Sequence, residues 1–85
     1  MRLVALVAML AAPAFAGELV MLTAHGEIVL TDMKCSKVNA NYAYRSEGRV
    51  FVNGCWTEVD GRVYVLWHRV GRKVYDMEKF TRRDK

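Results

Sequence analysis

Short runs of alternating apolar and polar residues, each interrupted by a glycine, most constrain the fold of this chain. After residue 17 the sequence shows almost no repeat of 3.6 residues, whereas a period of two is typical of β-strands that bury one face. Glycine tolerates the positive φ of tight hairpin turns, and Asn-Gly and Asp-Gly are the strongest short signals for them. The chain is therefore predicted to be all-β. The predicted two-residue turns are His25-Gly26, Glu47-Gly48, Asn53-Gly54, Asp60-Gly61 and Val70-Gly71.

These turns also predict which residues share a face, because residues directly opposite in an antiparallel pair point the same way. The predicted sheet has a core face and a face opposite to it. The opposite face is too apolar to be left in water, so the strands in residues 18–24 and 27–32 are predicted to cover it. The predicted fold is a small antiparallel meander of five to seven strands, curled into a partly open SH3-like barrel. The predicted core face holds Tyr44, Phe51, Trp56, Val63, Val65, Trp67 and Val74, and the opposite face holds Ala43, Val50, Val52, Cys55, Thr57, Val59, Tyr64, Leu66 and Tyr75.

The first sixteen residues have the pattern of a secretory signal peptide. Arg2 supplies a positive start, residues 3–12 are apolar, and Ala14-Phe15-Ala16 fits the small-x-small rule for signal peptidase. We predict cleavage after Ala16 and a periplasmic protein with no transmembrane segment. A retained anchor is the alternative, but this apolar run is about half of the roughly 20 residues needed to span a bilayer.

Two cysteines, Cys35 and Cys55, are the only ones in the chain. An even count in an oxidising compartment predicts one disulfide. Closing a loop of about 20 residues stabilises by about 3 kcal/mol in the chain-entropy model, a large share of the roughly 3–5 kcal/mol that a core of this size supplies. A thiolate metal site or a reactive thiol is the alternative, but the sequence has no Cys-x-x-Cys, and His25 and His68 have no ligand spacing.

The end of the chain is predicted to close the domain. Residues 76–80 are expected to form one helical turn, with Phe80 closing the mouth of the barrel. The domain is then predicted to occupy residues 17–80, and residues 81–85 are predicted to be a frayed basic tail.

Charge is unevenly distributed along the chain. Residues 17–61 hold four basic and six acidic side chains, whereas residues 62–85 hold eight basic and three acidic. A basic edge can bind phospholipid headgroups, lipopolysaccharide phosphates or an acidic protein. The alternative is a solvated edge strand and tail, because lysine and arginine protect sheet edges from unwanted pairing. The predicted binding residues for an anionic partner are Arg69, Arg72, Lys73, Lys79, Arg82 and Arg83.

No residue is predicted to be catalytic, to bind a cofactor or to hold a metal. A nucleophile needs a base and an orienting group nearby, and the serines and threonines lie in no recognisable motif. His25 lies in a predicted turn and His68 at the rim of a hairpin, where a structural role is expected. The acidic residues are scattered singly rather than paired.

Three segments, "GEIVLTDMKC", "YAYRSEG" and "GCWTEVDGRVYVLWHRVGRKVYDMEKF", resemble short exported proteins of tailed bacteriophages and prophages of Gram-negative bacteria. In that group an IVLT strand ends at a cysteine, and a GCW or GCF step precedes a V-x-V-x-W strand and a Y-x-x-x-x-F ending. The resemblance covers residues 26–80 and implies an exported phage protein, without an activity. Asp76 departs from it, since proline is frequent at that position. The V-x-V-x-W-x-x-x-G hairpin is also similar to SH3 and Tudor barrels, which implies a fold but no ligand.

Together these features favour a small periplasmic binding protein of phage or prophage origin that acts on the host envelope and is not an enzyme. The expected partner is an envelope protein or an anionic lipid surface, and the protein is expected to be a monomer or an edge-paired dimer. The alternative is an SH3-like module that binds nucleic acid or an anionic surface through its basic C-terminal edge. It requires an uncleaved leader and reduced cysteines. A third hypothesis, a small envelope hydrolase, would depend on His25 and His68.

Expression with its own leader in a Gram-negative host is expected to yield a protein that begins at Gly17. Its intact mass should be that of residues 17–85 less two hydrogens, because the leader is cleaved and a disulfide forms after export. Mass spectrometry before and after reduction and alkylation measures both events. A full-length mass with both thiols free would contradict export and favour the nucleic-acid hypothesis.

Overall fold

The computed structural model describes residues 17–36 and 39–83, so the predicted signal peptide and the last two residues of the predicted tail lie outside the described residues. The described chain forms one antiparallel sheet that is not closed into a barrel. The predicted all-β class with one disulfide is confirmed. The strands are β1 (Glu18–Leu22), β2 (Gly26–Lys34), β3 (Asn41–Glu47), β4 (Val50–Val59), β5 (Arg62–Trp67), β6 (Gly71–Asp76) and β7 (Thr81–Arg83), with a 3₁₀ helix (Met77–Lys79) before β7.

The strand order is β6-β5-β4-β3-β2-β1-β7, so the two edge strands are consecutive in sequence. In a flat sheet these edges would lie about 29 Å apart, at about 4.8 Å per strand. The chain from Asp76 to Thr81 spans at most about 17 Å even when fully extended. The sheet must therefore curl, and its concave face encloses the core.

The core is formed by alternate residues of the six longer strands, together with Phe80. Val63 and Val65 on β5 are fully buried, and Trp67 is 1% exposed. The predicted helical turn is present as the 3₁₀ helix, and Phe80 after it packs edge-to-face on Tyr75 with ring centroids 6.2 Å apart. The buried core cluster consists of Ile28, Leu30, Ala43, Trp56, Val63, Val65, Trp67 and Phe80.

The chain after Phe80 is ordered by pairing with the first strand. Thr81 lies opposite Val20, and Arg83 lies opposite Glu18. The prediction of a frayed tail is therefore wrong for residues 81–83, which form β7. Its order comes from the unpaired edge of β1, which the sequence pattern of residues 81–83 does not reveal.

One predicted turn has the expected position and register. Asp60-Gly61 joins β4 to β5, and both residues have positive φ, 52° and 79°. A type I′ turn requires positive φ at both central positions. Trp56 therefore lies opposite Val65, as predicted, and Gly54 lies opposite Trp67.

Asn53-Gly54 is not a turn, and that prediction is wrong. Both residues lie inside β4, a continuous strand of ten residues. Gly54 is required there by packing rather than by a turn, because a Cβ would lie 2.8 Å from Trp67 Cε3 and 2.8 Å from the Leu66 carbonyl oxygen. Since β4 is continuous, Phe51 and Trp56 point to opposite faces of the sheet.

Two further strand pairs have a register that differs from the predicted one. A difference of an even number of residues keeps the side chains on the predicted face, whereas an odd number moves them to the other face. The β3–β4 turn is Gly48 and Arg49, and the even change in register leaves Tyr44 and Phe51 on one face. The β5–β6 loop has three residues, 68–70, and the odd change moves Val74 to the convex face. The turn between β1 and β2 lies at residues 23–25.

The predicted core face is therefore correct in part. Trp56, Val63, Val65 and Trp67 are in the core, whereas the convex face carries Tyr44, Phe51 and Val74. The predicted cover is also wrong, because β1 and β2 extend the same sheet beside β3 instead of lying across it. Four residues that were predicted on the face opposite the core lie instead on the concave face of the sheet. They are Ala43, Val50, Val52 and Tyr75.

The pairing of β2 with β3 is irregular just before Cys35, the first cysteine of the disulfide. The register shifts between Leu30 and Lys34, which leaves backbone groups without ladder partners. The Thr31 hydroxyl donates to the Tyr42 carbonyl at 2.8 Å and accepts from the Met33 N–H at 3.2 Å. The Trp56 indole N–H donates to the Thr31 carbonyl at 2.9 Å. These bonds fix the end of β2 against β3 and β4.

Replacing Gly54 with alanine is expected to destabilise the protein by about 1–3 kcal/mol, because the new methyl group overpacks against Trp67. Gly48 is the matched control, since its φ is 62° and nothing lies within 4 Å of its missing Cβ. Asparagine tolerates this left-handed conformation, so Gly48→Asn should cost less than Gly48→Ala, whereas Gly54→Asn should cost more than Gly54→Ala. Urea unfolding measures all four variants. Equal behaviour of asparagine at both positions would contradict the strand assignment of Gly54.

Candidate functional site: a groove on the convex face

The convex face carries an open groove of about 940 Å³ beside the disulfide. It runs from the end of β2, across the start of β3 and the middle of β4, to the loop between β5 and β6. Its volume lies within the range of about 300–1,000 Å³ that small-molecule sites occupy. We name it the convex groove, and the exposed or partly exposed apolar side chains that line it are Met33, Tyr42, Leu66 and the Cys35–Cys55 disulfide.

The disulfide forms one wall of the convex groove, and the predicted pairing of Cys35 with Cys55 is confirmed. The two Cα atoms are 6.1 Å apart. Cys55 lies opposite Tyr42 on β3 and opposite Leu66 on β5, so the three side chains share the convex face. The middle of the groove is therefore set by the register of three neighbouring strands.

The polar groups nearest the groove are bonded to one another. The Tyr42 hydroxyl donates to Asn53 Oδ1, which fixes the orientation of the ring. The Asn53 carbonyl accepts from the His68 N–H at 2.8 Å, and this bond continues the pairing of β4 and β5 beyond Trp67. It places the β5–β6 loop at the end of the groove.

The β5–β6 loop presents a cation to the groove. Arg69 has φ of 65°, Gly71 has φ of 106°, and the Val70 N–H donates to the Trp67 carbonyl at 3.2 Å. A non-glycine residue with positive φ is uncommon, and here the short loop between paired strands imposes it. The Arg69 side chain is exposed at the rim.

The apolar surface of the groove is accessible to solvent. Leu66 is 62% exposed and Met33 is 59% exposed. Single exposed apolar side chains are ordinary, but contiguous apolar surface usually marks a site of interaction. The convex face outside the groove adds to this surface through Leu22, Phe51, Val59 and Val74.

The charged side chains that line the convex groove, Lys34 and Arg69, are both basic. Lys34 and Arg69 line it, together with His68, and all three side chains are exposed. Among the described residues that line the groove, none is an aspartate or a glutamate. The groove therefore combines an apolar floor with a cationic rim.

The six basic residues predicted for an anionic partner are divided between different parts of the sheet. Arg69 lines the groove, and Arg72 lies opposite Leu66 on the same convex face. Lys73 points to the other face by strand alternation, and Lys79 is exposed in the 3₁₀ helix. Arg82 lies in β7, opposite Leu19.

Arg83 contributes to the fold rather than to an open cationic surface. Its guanidinium contacts Glu18 Oε1 at 2.7 Å and Glu27 Oε1 at 3.2 Å. These hydrogen bonds raise the pKa of Arg83 further above its ordinary value. The neighbouring Tyr44 is partly buried, and burial raises the pKa of its phenol. Arg83 thus connects β7 to β1 and β2.

The histidines lie on separate loops. His25 is in the β1–β2 turn and His68 begins the β5–β6 loop, and both are exposed. Within residues 17–36 and 39–83, no three histidine, cysteine, aspartate or glutamate side chains are grouped so that they could hold a metal. No helix in that part of the chain is long and apolar enough to cross a membrane.

These features define a small all-β domain with one disulfide and an amphipathic groove on its convex face. Searches of protein-family models, of curated proteins and of solved structures find no match to this chain. The resemblance to exported phage proteins and to SH3-like barrels therefore stays a prediction from sequence motifs.

Sequence reasoning missed the convex groove, although part of its signal was present. Among the groove residues, Cys55 and Leu66 belong to the face that is predicted from the sequence to be too apolar for water. Because that face was predicted to be covered by the first two strands, no exposed site was expected on it. Met33 and Lys34 enter the groove through the register shift in β2, which has no simple sequence signal.

Replacing Arg83 with glutamine is expected to loosen β7, because the two carboxylates on β1 and β2 lose their cation. An exposed ion pair contributes up to about 1 kcal/mol, so amide hydrogen exchange of residues 81–83 should accelerate by about two- to fivefold. Arg72→Gln, which removes the same charge from β6, is the control and should leave that exchange unchanged. Unchanged exchange in Arg83→Gln would show that the ion pairs do not hold β7.

Proposed function

We propose that this protein is a small binding protein that is exported to the periplasm, originates from a phage or prophage, and acts on the host envelope through its convex face. The observation that carries the proposal is the convex groove, in which exposed Leu66 and Met33 lie beside Lys34 and Arg69. Export and phage origin rest on the leader pattern and the motif resemblance in the sequence.

The exposed apolar floor favours a binding role. Leaving Leu66 and Met33 in water forgoes the free energy of burial, which is about 25 cal/mol for each Å² of apolar surface. A partner that covers the convex groove gains this free energy. The fold itself leaves the surface open, because β1 and β2 lie beside the other strands and not over them.

The cationic rim favours an anionic partner. Lys34 and Arg69 are exposed at the groove, and no acidic residue among its described lining opposes them. Complementary charge accelerates encounter and suppresses wrong partners. Anionic lipid headgroups and lipopolysaccharide phosphates carry the complementary charge in a Gram-negative envelope.

The architecture of the site also suits binding. Tyr42, Cys55 and Leu66 lie on three central strands, and the disulfide and the Tyr42–Asn53 hydrogen bond restrict their movement. A preorganised surface loses little conformational entropy when it binds. The alternative of a nucleic-acid module has less support, because it requires reduced cysteines and because Arg83 is engaged by two carboxylates.

The disulfide-bonded protein, residues 17–85, is expected to co-sediment with envelope vesicles from a Gram-negative host at low salt. Each cation near an anionic membrane surface contributes about 1 kcal/mol, so Lys34→Gln/Arg69→Asn should weaken this binding by about ten- to thirtyfold. Binding should also fall as salt is raised, because the Debye length shortens. Sedimentation followed by protein quantification measures the bound fraction.

The control removes two positive charges elsewhere, in Lys73→Gln/Lys79→Gln, and should bind like the original protein. The proposal would be rejected if the protein remained in the supernatant at every salt concentration. If both double variants weakened vesicle binding equally, the binding would depend on the total charge of the protein and not on the groove.

A further inference from the structure

We infer that the convex groove holds the acyl chain of a single-chain anionic amphiphile, with the headgroup beside one of the two cations that line its ends, Lys34 or Arg69. This inference deepens the proposed function and rests on it, since it names the ligand of the same groove. It commits to an individual lipid molecule taken into the groove, and not to attachment on the surface of a bilayer.

The first argument is the continuity of the apolar floor. Tyr42, Cys55 and Leu66 are direct neighbours across β3, β4 and β5, and strands lie about 4.8 Å apart. The three side chains therefore form an apolar strip about 10 Å long across the strands, and Met33 contributes further apolar surface to the same groove. A narrow, continuous strip of this kind suits one extended hydrocarbon chain.

The second argument concerns hydrogen bonds. β3, β4 and β5 are central strands, and each is paired on both sides. The Tyr42 hydroxyl is bonded to Asn53, whose carbonyl is bonded to the His68 N–H. A peptide laid across this surface would find no open strand edge for its backbone groups, and burying them unpaired is costly. An acyl chain has no such groups.

The third argument is the position of charge. Lys34 and Arg69 line opposite ends of the groove and their side chains are exposed, so each can contact a headgroup that remains in water. Charge-assisted hydrogen bonds to a carboxylate or a phosphate are stronger than those to a neutral headgroup. The groove thus distinguishes an anionic amphiphile from a neutral one of equal chain length.

The test uses the disulfide-bonded protein and sodium octanoate, decanoate and dodecanoate, each below the concentration at which it forms micelles. Titration followed by NMR is expected to show saturable binding of one molecule, with shifts of the Met33 and Leu66 methyl signals. The affinity should rise by about two- to fourfold for each added methylene, as expected when part of the chain is buried. Lysophosphatidylglycerol tests a phosphate headgroup in place of the carboxylate.

Variants locate the chain and the headgroup separately. Leu66→Ala should weaken dodecanoate binding by about five- to tenfold, whereas Leu22→Ala, the same change at an exposed leucine outside the groove, should leave it unchanged. Lys34→Gln/Arg69→Asn should weaken dodecanoate binding without a comparable effect on dodecyl maltoside, a neutral amphiphile. Lys73→Gln/Lys79→Gln should bind dodecanoate normally.

Three results would overturn the inference. Equal affinity for octanoate and dodecanoate would exclude an acyl-chain site, and equal affinity for dodecanoate and dodecyl maltoside would exclude recognition of the anion. Binding to phosphatidylglycerol vesicles without binding of any single-chain anion would show a bilayer-surface protein. That last result would leave the proposed envelope function intact, whereas failure to bind envelope vesicles would remove the function itself.

Discussion

The covalent link between Cys35 and Cys55 connects the irregular end of β2 to the middle of the longest strand. A domain of this size has a marginal core, and closing a loop of about 20 residues adds about 3 kcal/mol in the chain-entropy model. The link follows the register shift after Leu30, where Thr31 makes hydrogen bonds to Tyr42 and Met33. The same bond therefore stabilises the domain and forms a wall of the groove.

The curvature of the sheet determines which apolar surface is buried. Trp67 occupies the concave side, where Arg45 lies 5.5 Å from its ring and the Tyr75 hydroxyl accepts its indole N–H at 3.0 Å. Gly54 allows the indole to approach β4, and Phe80 packs into the same core. A single curled sheet has only one enclosed side, so apolar residues that alternate onto the convex side, such as Leu66 and Phe51, can stay accessible.

Much of the fold could be predicted from local turn chemistry, and the errors have physical causes. Asp60-Gly61 formed the expected turn because both residues adopt positive φ there. Asn53-Gly54 has the same local signal, but packing against Trp67 determines the role of that glycine. The disulfide followed from the cysteine count, whereas the position of Arg69 depends on a loop length that the sequence does not specify. The groove could not be predicted because its residues come together only through the registers of β2 to β5.

The disulfide connects the proposed location with the proposed binding site. Cys35 and Cys55 form a wall of the convex groove, and cysteines of exported proteins are oxidised in the periplasm but kept reduced in the cytoplasm. Without the disulfide, the covalent link between the end of β2 and β4 is absent, and the hydrogen bond from Trp56 to Thr31 remains between them. On the proposed function, the groove is completed after export, and an apolar site for an amphiphile is therefore not fully formed in the cytoplasm.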